Sequence, residues 1–173
     1  MNDIVKSILE RSSARKYRSE HVKKEDLDLI VQAGLKAPSG GNKQTPRFLI
    51  ITNDDIRDRL MKMNAQVAGA PEGFDVFYGA LDVIAVLAKK EGDYVCDGSL
   101  AMGNMLNTAY AMGLGARWIN RARQVFGTEE GRKILADAGI TEDVEGIAFC
   151  IVGYPDEPLS PKPVVPNRVF RIE

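Results

Sequence analysis

One histidine, His21, and two cysteines, Cys96 and Cys150, are all that this chain of 173 residues offers of the side chains most used in metal sites and nucleophilic catalysis. Metal sites built on several imidazoles, and most schemes in which histidine activates a nucleophile, are therefore nearly excluded. The two cysteines lie far apart, so they form no disulfide framework and read as buried free thiols of a reducing compartment. Long apolar runs are missing as well, and no stretch reaches the roughly eighteen uninterrupted apolar residues that a membrane span requires. Met1 to Glu10 carries two acids and no apolar run, so no secretory signal is expected and the protein reads as cytoplasmic, with no membrane partner. An excess of charge is absent too. With 23 Lys and Arg against 24 Asp and Glu the net charge is -1, which gives no field to draw in nucleic acid, so any anion site must be local.

What is present is ordinary for a globular protein, 45% hydrophobic and 27% charged, and the length suits one domain over residues 1–173 with a sizeable core. Ile4, Val5, Ile8 and Leu9 recur at helical spacing before Arg11, with Ser12, Ser13 and Arg15 as the polar exit of that helix. Lys24 to Ala37 is a clearer helix, with Leu27, Ile30, Val31 and Leu35 on one face, and Pro38 stops it. Phe48 to Ile51 reads as a buried strand, and Thr52 and Asn53 lead into a helix through Ile56, Leu60 and Met63. Asn64 to Gly79 breaks the pattern with alanines, glycines and Pro71, and with Phe74, Phe77 and Tyr78 it reads as either a lid-like segment or a plain surface loop. Val83 to Ala88 is a second strand, Asp93 to Met112 the longest helix, and Ala116 to Ile119 a short strand behind Gly113 and Gly115. Thr128 caps a helix that starts with Glu129 and Glu130 and ends before Gly139, and Ile147 to Val152 is another strong strand. Five of the eight prolines fall between Pro155 and Pro166, so residues 155–173 form an extended tail suited to wrapping another surface.

Two stretches carry chemistry. Arg11, Ser13 and Arg15 supply charge-assisted donors to a dianion, although an exposed helix-end cluster has the same composition. Arg117, Arg121 and Arg123 form a second basic cluster and Arg168 with Arg171 a third, and each equally suits a solvated surface. Ala37 to Phe48, APSGGNKQTPRF, sits between a helix and a strand; Gly40 and Gly41 let a backbone approach a flat ligand, while Ser39, Asn42 and Gln44 surround it with hydrogen-bonding groups. Pro38 and Pro46 restrict its ends, yet the same residues make ordinary connections. Gly113 to Trp118, GLGARW, matches only the first two glycines of a dinucleotide fingerprint and follows a helix, Lys43 does not complete a P-loop, and Ser39 lacks a GxSxG setting.

The order and spacing of the RSSAR run at Arg11 to Arg15, the glycine loop and the GLGARW run resemble the nitroreductase family of FMN-dependent oxidoreductases, over about Ile8 to Arg171. The resemblance implies an α+β fold with a mixed, mainly antiparallel central sheet flanked by helices, in an intertwined homodimer whose tails pack on the partner subunit. It implies an FMN phosphate held by Arg11, Ser12, Ser13 and Arg15, with Arg168, or more weakly Arg171, as the basic residue near the C-terminus. It further implies that Pro38, Ser39, Gly40, Asn42 and Gln44 come from the opposite subunit to line the isoalloxazine, with Ile119 and Asn120 near the ring's other edge. NADH or NADPH would donate hydride to the flavin, and a small oxidised acceptor such as a nitroaromatic or quinone would take two electrons in a ping-pong cycle that needs no protein nucleophile. Departures from the family pattern are Leu81 and Asp82 after Ala80, where an apolar residue is expected, the small Gly40 and Gly41 pair, and the unmatched segment 64–79. A flavin carrier or redox sensor without efficient turnover is the alternative, and an interaction module whose glycine loop is a mere turn is a second.

Overall fold

Four apolar stretches become the strands of one sheet in the computed structural model, which describes residues 1–173: β1 (Pro46–Ile51), β2 (Asp82–Lys89), β3 (Gly115–Ile119) and β4 (Val144–Gly153). Their spatial order is β1-β2-β4-β3, and every pairing within the chain is antiparallel. The inner strand β2 is buried from Asp82 to Ala88, because both of its faces are covered. Its alternation sends Val83, Ala85 and Leu87 to one layer and Ile84 and Val86 to the other. A continuous apolar run on a doubly covered strand follows from that burial.

Helices α1 (Asp3–Glu10), α2 (Lys24–Leu35), α3 (Asp54–Ala68), α4 (Tyr94–Ala111), α5 (Ala122–Gly127) and α6 (Glu129–Asp137) complete the fold. Leu27 and Ile30 of α2 and Met102, Met105 and Ala109 of α4 pack on one face of the sheet. Leu60 of α3, Val125 and Phe126 of α5, and Ile134 and Leu135 of α6 pack on the other, around the ring pairs of Phe149 with Phe77 and Phe126. Side-chain caps start three of these helices: Asn2 accepts from Ile4 N, Asn53 from Ile56 N, and Thr128 from Gly131 N. At the bulge in β4, Ile147 presses so close to α4 that a Cβ on Gly98 would stand 2.6 Å from its Cγ1.

Several expectations are corrected. Asn64 to Ala68 is not part of an irregular segment but the last turn of α3, closed by Gly69 in the left-handed conformation. Beyond it, the stretch from Asp75 to Ala80 is tied to α3. Arg57, itself buried, bonds Asp75 Oδ2 at 2.6 Å and the carbonyl of Ala80 at 2.9 Å, while Asp75 accepts from the N–H groups of Phe77 and Gly79. Cys150 is buried as expected, and that burial pushes its thiol up to about 12. Cys96 is exposed, because the buried stripe of α4 runs through Asp97, Gly98, Ala101, Met102, Met105 and Ala109 and leaves position 96 outside it. Helix α5 is an addition that the sequence reading did not contain. Asp82, placed where an apolar residue is expected, is fully buried because its carboxylate accepts Val22 N at 2.6 Å and bonds His21 Nδ1 at 2.8 Å.

Two apolar surfaces stay uncovered. Helix α1 buries no residue, and Ile4, Val5, Ile8 and Leu9 are exposed. Beyond Pro155 the tail forms neither helix nor strand and exposes Val164, Val165, Val169, Phe170 and Ile172, Phe170 to 91%.

Candidate functional site

The run from Arg11 to Tyr17 lies beside the edge strand β3 and the end of β4, tied by Ala14 N to the carbonyl of Ala116 at 3.4 Å and by a bridge between Tyr17 and Pro155. Arg18 N donates to the carbonyl of Tyr154 at 2.9 Å and Asp156 N to that of Lys16 at 3.0 Å, so the chain's two ends are stitched together here. Glycine makes the seat possible. A Cβ on Gly115 would stand 2.8 Å from Ala14 Cβ, and one on Gly153 2.7 Å from the ring of Tyr17. Burial in this seat pushes the Tyr17 phenol up from its ordinary value.

The seat presents Arg11, Ser12, Ser13 and Arg15 to a cleft of about 390 Å³, whose other walls are Leu9, Arg117, Trp118 and the tail from Ser160 to Val164 without Pro163. Four cations, Arg11, Arg15, Arg117 and Lys162, line it, and no carboxylate does. Such a concentration of positive charge around hydroxyls suits an anion rich in acceptor oxygens. Arg117 Cζ stands 4.5 Å over the ring of Tyr78, and its Nη1 is buried with no hydrogen-bond partner.

The glycine loop is a separate feature. Gly40 to Asn42 forms a single 3₁₀ turn, and Gly40 to Gln44 are all exposed. Gly41, Asn42 and Gln44 all take left-handed φ, at 57°, 56° and 50°. For a residue such as Gln44 that conformation costs on the order of 1–3 kcal/mol and persists only where surrounding contacts impose it. Those contacts are visible. Asp97, 2% exposed, accepts Gly40 N at 2.9 Å on one oxygen and the Thr45 hydroxyl at 2.8 Å on the other, and Ser39 Oγ accepts Gln44 N at 2.9 Å. Asp97 was missed in the sequence, where its signal is an acid on the otherwise apolar stripe of α4.

Ile119 is buried in the core, so what it presents outward is main chain. Asn120 is exposed; its Oδ1 accepts from Trp118 Nε1, and its carbonyl accepts Asn64 Nδ2 at 2.7 Å, the next residue, Arg121, being in the left-handed region. Arg168 lies on the exposed tail, its Nε donating to the carbonyl of Val165 at 3.1 Å, and it does not line the cationic cleft. Nor do Pro38, Ser39, Gly40, Asn42 and Gln44. Within one chain, then, Arg11 to Arg15 come together at the cleft, while the loop and Arg168 stand elsewhere. No helix is long and apolar enough to cross a membrane.

A four-stranded antiparallel sheet between two helical layers, with a cleft lined by four cations beside it and a strained glycine loop, defines an α+β protein. Sequence comparison identifies the group. The profile of the nitroreductase family matches residues 8–79. A relative from Archaeoglobus fulgidus, provisionally named an NADH dehydrogenase/NAD(P)H nitroreductase, is 30% identical over 162 residues, 91% of this chain and 88% of its own. The chain belongs to the nitroreductase family. Its fold is shared with the nitroreductase with bound FMN from Bacteroides fragilis, TM-score 0.88 at 24% identity, and with the one with bound FMN from Desulfitobacterium hafniense, TM-score 0.89 at 22% identity. Each of these two matches covers the whole of both chains.

Proposed function

We propose that the chain is an FMN-dependent NAD(P)H oxidoreductase of nitroreductase type, acting as a homodimer with one domain over residues 1–173 in each subunit. The single observation that carries this reading is the cleft lined by four cations beside Ser12 and Ser13, with Glu157 engaged at its margin by Arg15 N. A phosphate monoester dianion matches that donor set, because guanidinium forks and hydroxyls pair with its oxygens at short range. The names of the relatives agree with it, since two proteins of this fold hold FMN and one relative is provisionally an NAD(P)H nitroreductase.

In this reading Arg11, Ser12, Ser13 and Arg15 bind the phosphate. Pro38, Ser39, Gly40, Asn42 and Gln44 of the second subunit line the ring, and the left-handed turns, whose Gly40, Asn42, Lys43 and Gln44 N–H groups are bonded within the chain, hold the Asn42 and Gln44 side-chain amides at the exposed surface of the loop. Donors fixed in this way stabilise negative charge on the ring without reorganising. The Ile119 main chain and Asn120 border its other edge, and Arg168 reaches a phosphate from the tail. When bound, the flavin supplies the redox chemistry, taking a hydride from NADH or NADPH and returning two electrons to a nitroaromatic, quinone or similar small acceptor. The apolar faces of α1 and of the tail support the dimer, because each buries little within its own chain.

An absorbance spectrum of the purified protein with and without added FMN tests the proposal. A flavin band that bleaches anaerobically with NADH or NADPH and returns on adding a nitroaromatic or quinone is expected. A colourless protein that takes up no FMN refutes the reading, and a bound flavin that neither nicotinamide reduces makes the protein a carrier or sensor instead.

A further inference from the structure

We infer that Arg117 is a further phosphate-recognition residue, the one that makes the cleft select a phosphorylated flavin over the same flavin without its phosphate. This rests on the reading that the cleft takes the flavin's phosphate. Strand alternation explains why the residue is out of place as a structural element. Its neighbours Ala116 and Trp118 pack with one core layer, so position 117, paired with Ile151, points to the layer of Ile119, Phe149 and Ile151. An apolar side chain would serve packing better there. Instead a guanidinium sits half-buried, its Nη1 has no acceptor, and the cleft beside it offers no carboxylate. A buried donor without an acceptor is destabilising unless a ligand supplies one.

A second observation is independent of the first. Tyr78 holds its ring under Arg117 at 4.5 Å although its own backbone is in the left-handed region, φ 56°, a strained choice for an aromatic residue. The strain is sustained by Asp75, whose carboxylate takes the N–H groups on either side of Tyr78, from Phe77 and Gly79. The cation–π contact restrains the guanidinium, and the strand ladder fixes its backbone. Arg11 caps the end of α1 and Arg15 lies in the segment seated beside β3, whereas the Arg117 backbone is a member of the strand ladder and its guanidinium is held over a ring. A fixed planar fork gains more from a phosphate than a mobile one, because less freedom is lost on binding.

The test compares FMN and riboflavin by fluorescence titration on the parent, Arg117→Met and Arg117→Lys. Met keeps the apolar stem and removes the charge; Lys keeps the charge and removes the fork. Arg117→Met is expected to weaken FMN roughly tenfold or more, as for a lost charged hydrogen bond, while riboflavin affinity stays at the parent value. The salt dependence of FMN binding becomes shallower in the same variant. Arg117→Lys gives an intermediate FMN-to-riboflavin ratio, and it carries the comparison if the Met variant does not fold. An unchanged ratio in either variant, or an equal loss for both ligands, overturns the inference by making Arg117 structural. A parent that binds no FMN instead defeats the functional reading itself, so the two failures are told apart.

Discussion

Asp97 shows how much one buried side chain can decide. Each oxygen of its carboxylate takes one donor from the glycine loop, Gly40 N and the Thr45 hydroxyl, so the charge is compensated by hydrogen bonds rather than by a cation. Removing it leaves both donors unpaired, at a cost of about 1–3 kcal/mol each if they stay dry. Asparagine is different. Its carbonyl can still accept Gly40 N, and its amide can donate to Thr45 Oγ, since a hydroxyl accepts as well as it donates. Asp97→Ala is therefore expected to lower stability by about 2 kcal/mol or more and to speed amide exchange at Gly40, with Asp97→Asn closer to the parent on both. Denaturant unfolding with hydrogen exchange checks this, and an asparagine variant as weak as the alanine one would show that the charge, not the pairing, holds the loop.

Between elements, the tie of interest joins the first residue of β2 to the entry of α2. Asp82 holds both Val22 N and the ring of His21, whose Nε2 also stands 3.6 Å from Asp54 at the start of α3. The hydrogen bond to Asp82 raises the pKa of His21 above its usual 6.5. A raised folded-state value means that the contribution is complete below about pH 6.5 and is lost as pH rises through the folded value. Because the imidazole side chain is 44% exposed, the effect is expected to stay under about 1 kcal/mol. Unfolding midpoints measured across this range for the parent and His21→Gln should converge as the pH rises, and a difference that does not vary with pH would rule the linkage out. Elements were legible where their period was undisturbed. Strand β2 and the Thr128 cap of α6 follow directly from a continuous apolar run and a hydroxyl before two glutamates. Helix α5, six residues long, is too short to show a period, and the last turn of α3 was hidden because Asn64, a polar residue, is buried there by its bond to the Asn120 carbonyl. The RSSAR run was legible as a donor set for an anion, but Arg117 read as one more surface cation, since its burial and its stacking on Tyr78 are tertiary facts.

For the molecule as a whole, the glycine loop and the cationic cleft line no common cavity in one chain, and the tail that walls the cleft leaves its own apolar residues in water. A second copy resolves both if the tail crosses to it. A chain ending at Tyr154 loses the Pro155 bridge to Tyr17 as well as Lys162, and is expected to be monomeric with poor FMN affinity. Because that cut also removes part of the Arg11 to Tyr17 seat, a second truncation after Pro166 is the sharper test. It keeps the bridge and the cleft wall and removes Val169, Phe170 and Ile172 together with Asn167, Arg168, Arg171 and Glu173. If those apolar side chains are buried against a partner, each contributes about 1.5–3 kcal/mol to association, so this shorter deletion should shift the monomer–dimer equilibrium by orders of magnitude while leaving the fold intact. Light scattering over a dilution series reads the shift. Masses that match the full-length dimer at every concentration would mean that residues 167–173 contribute nothing to the interface.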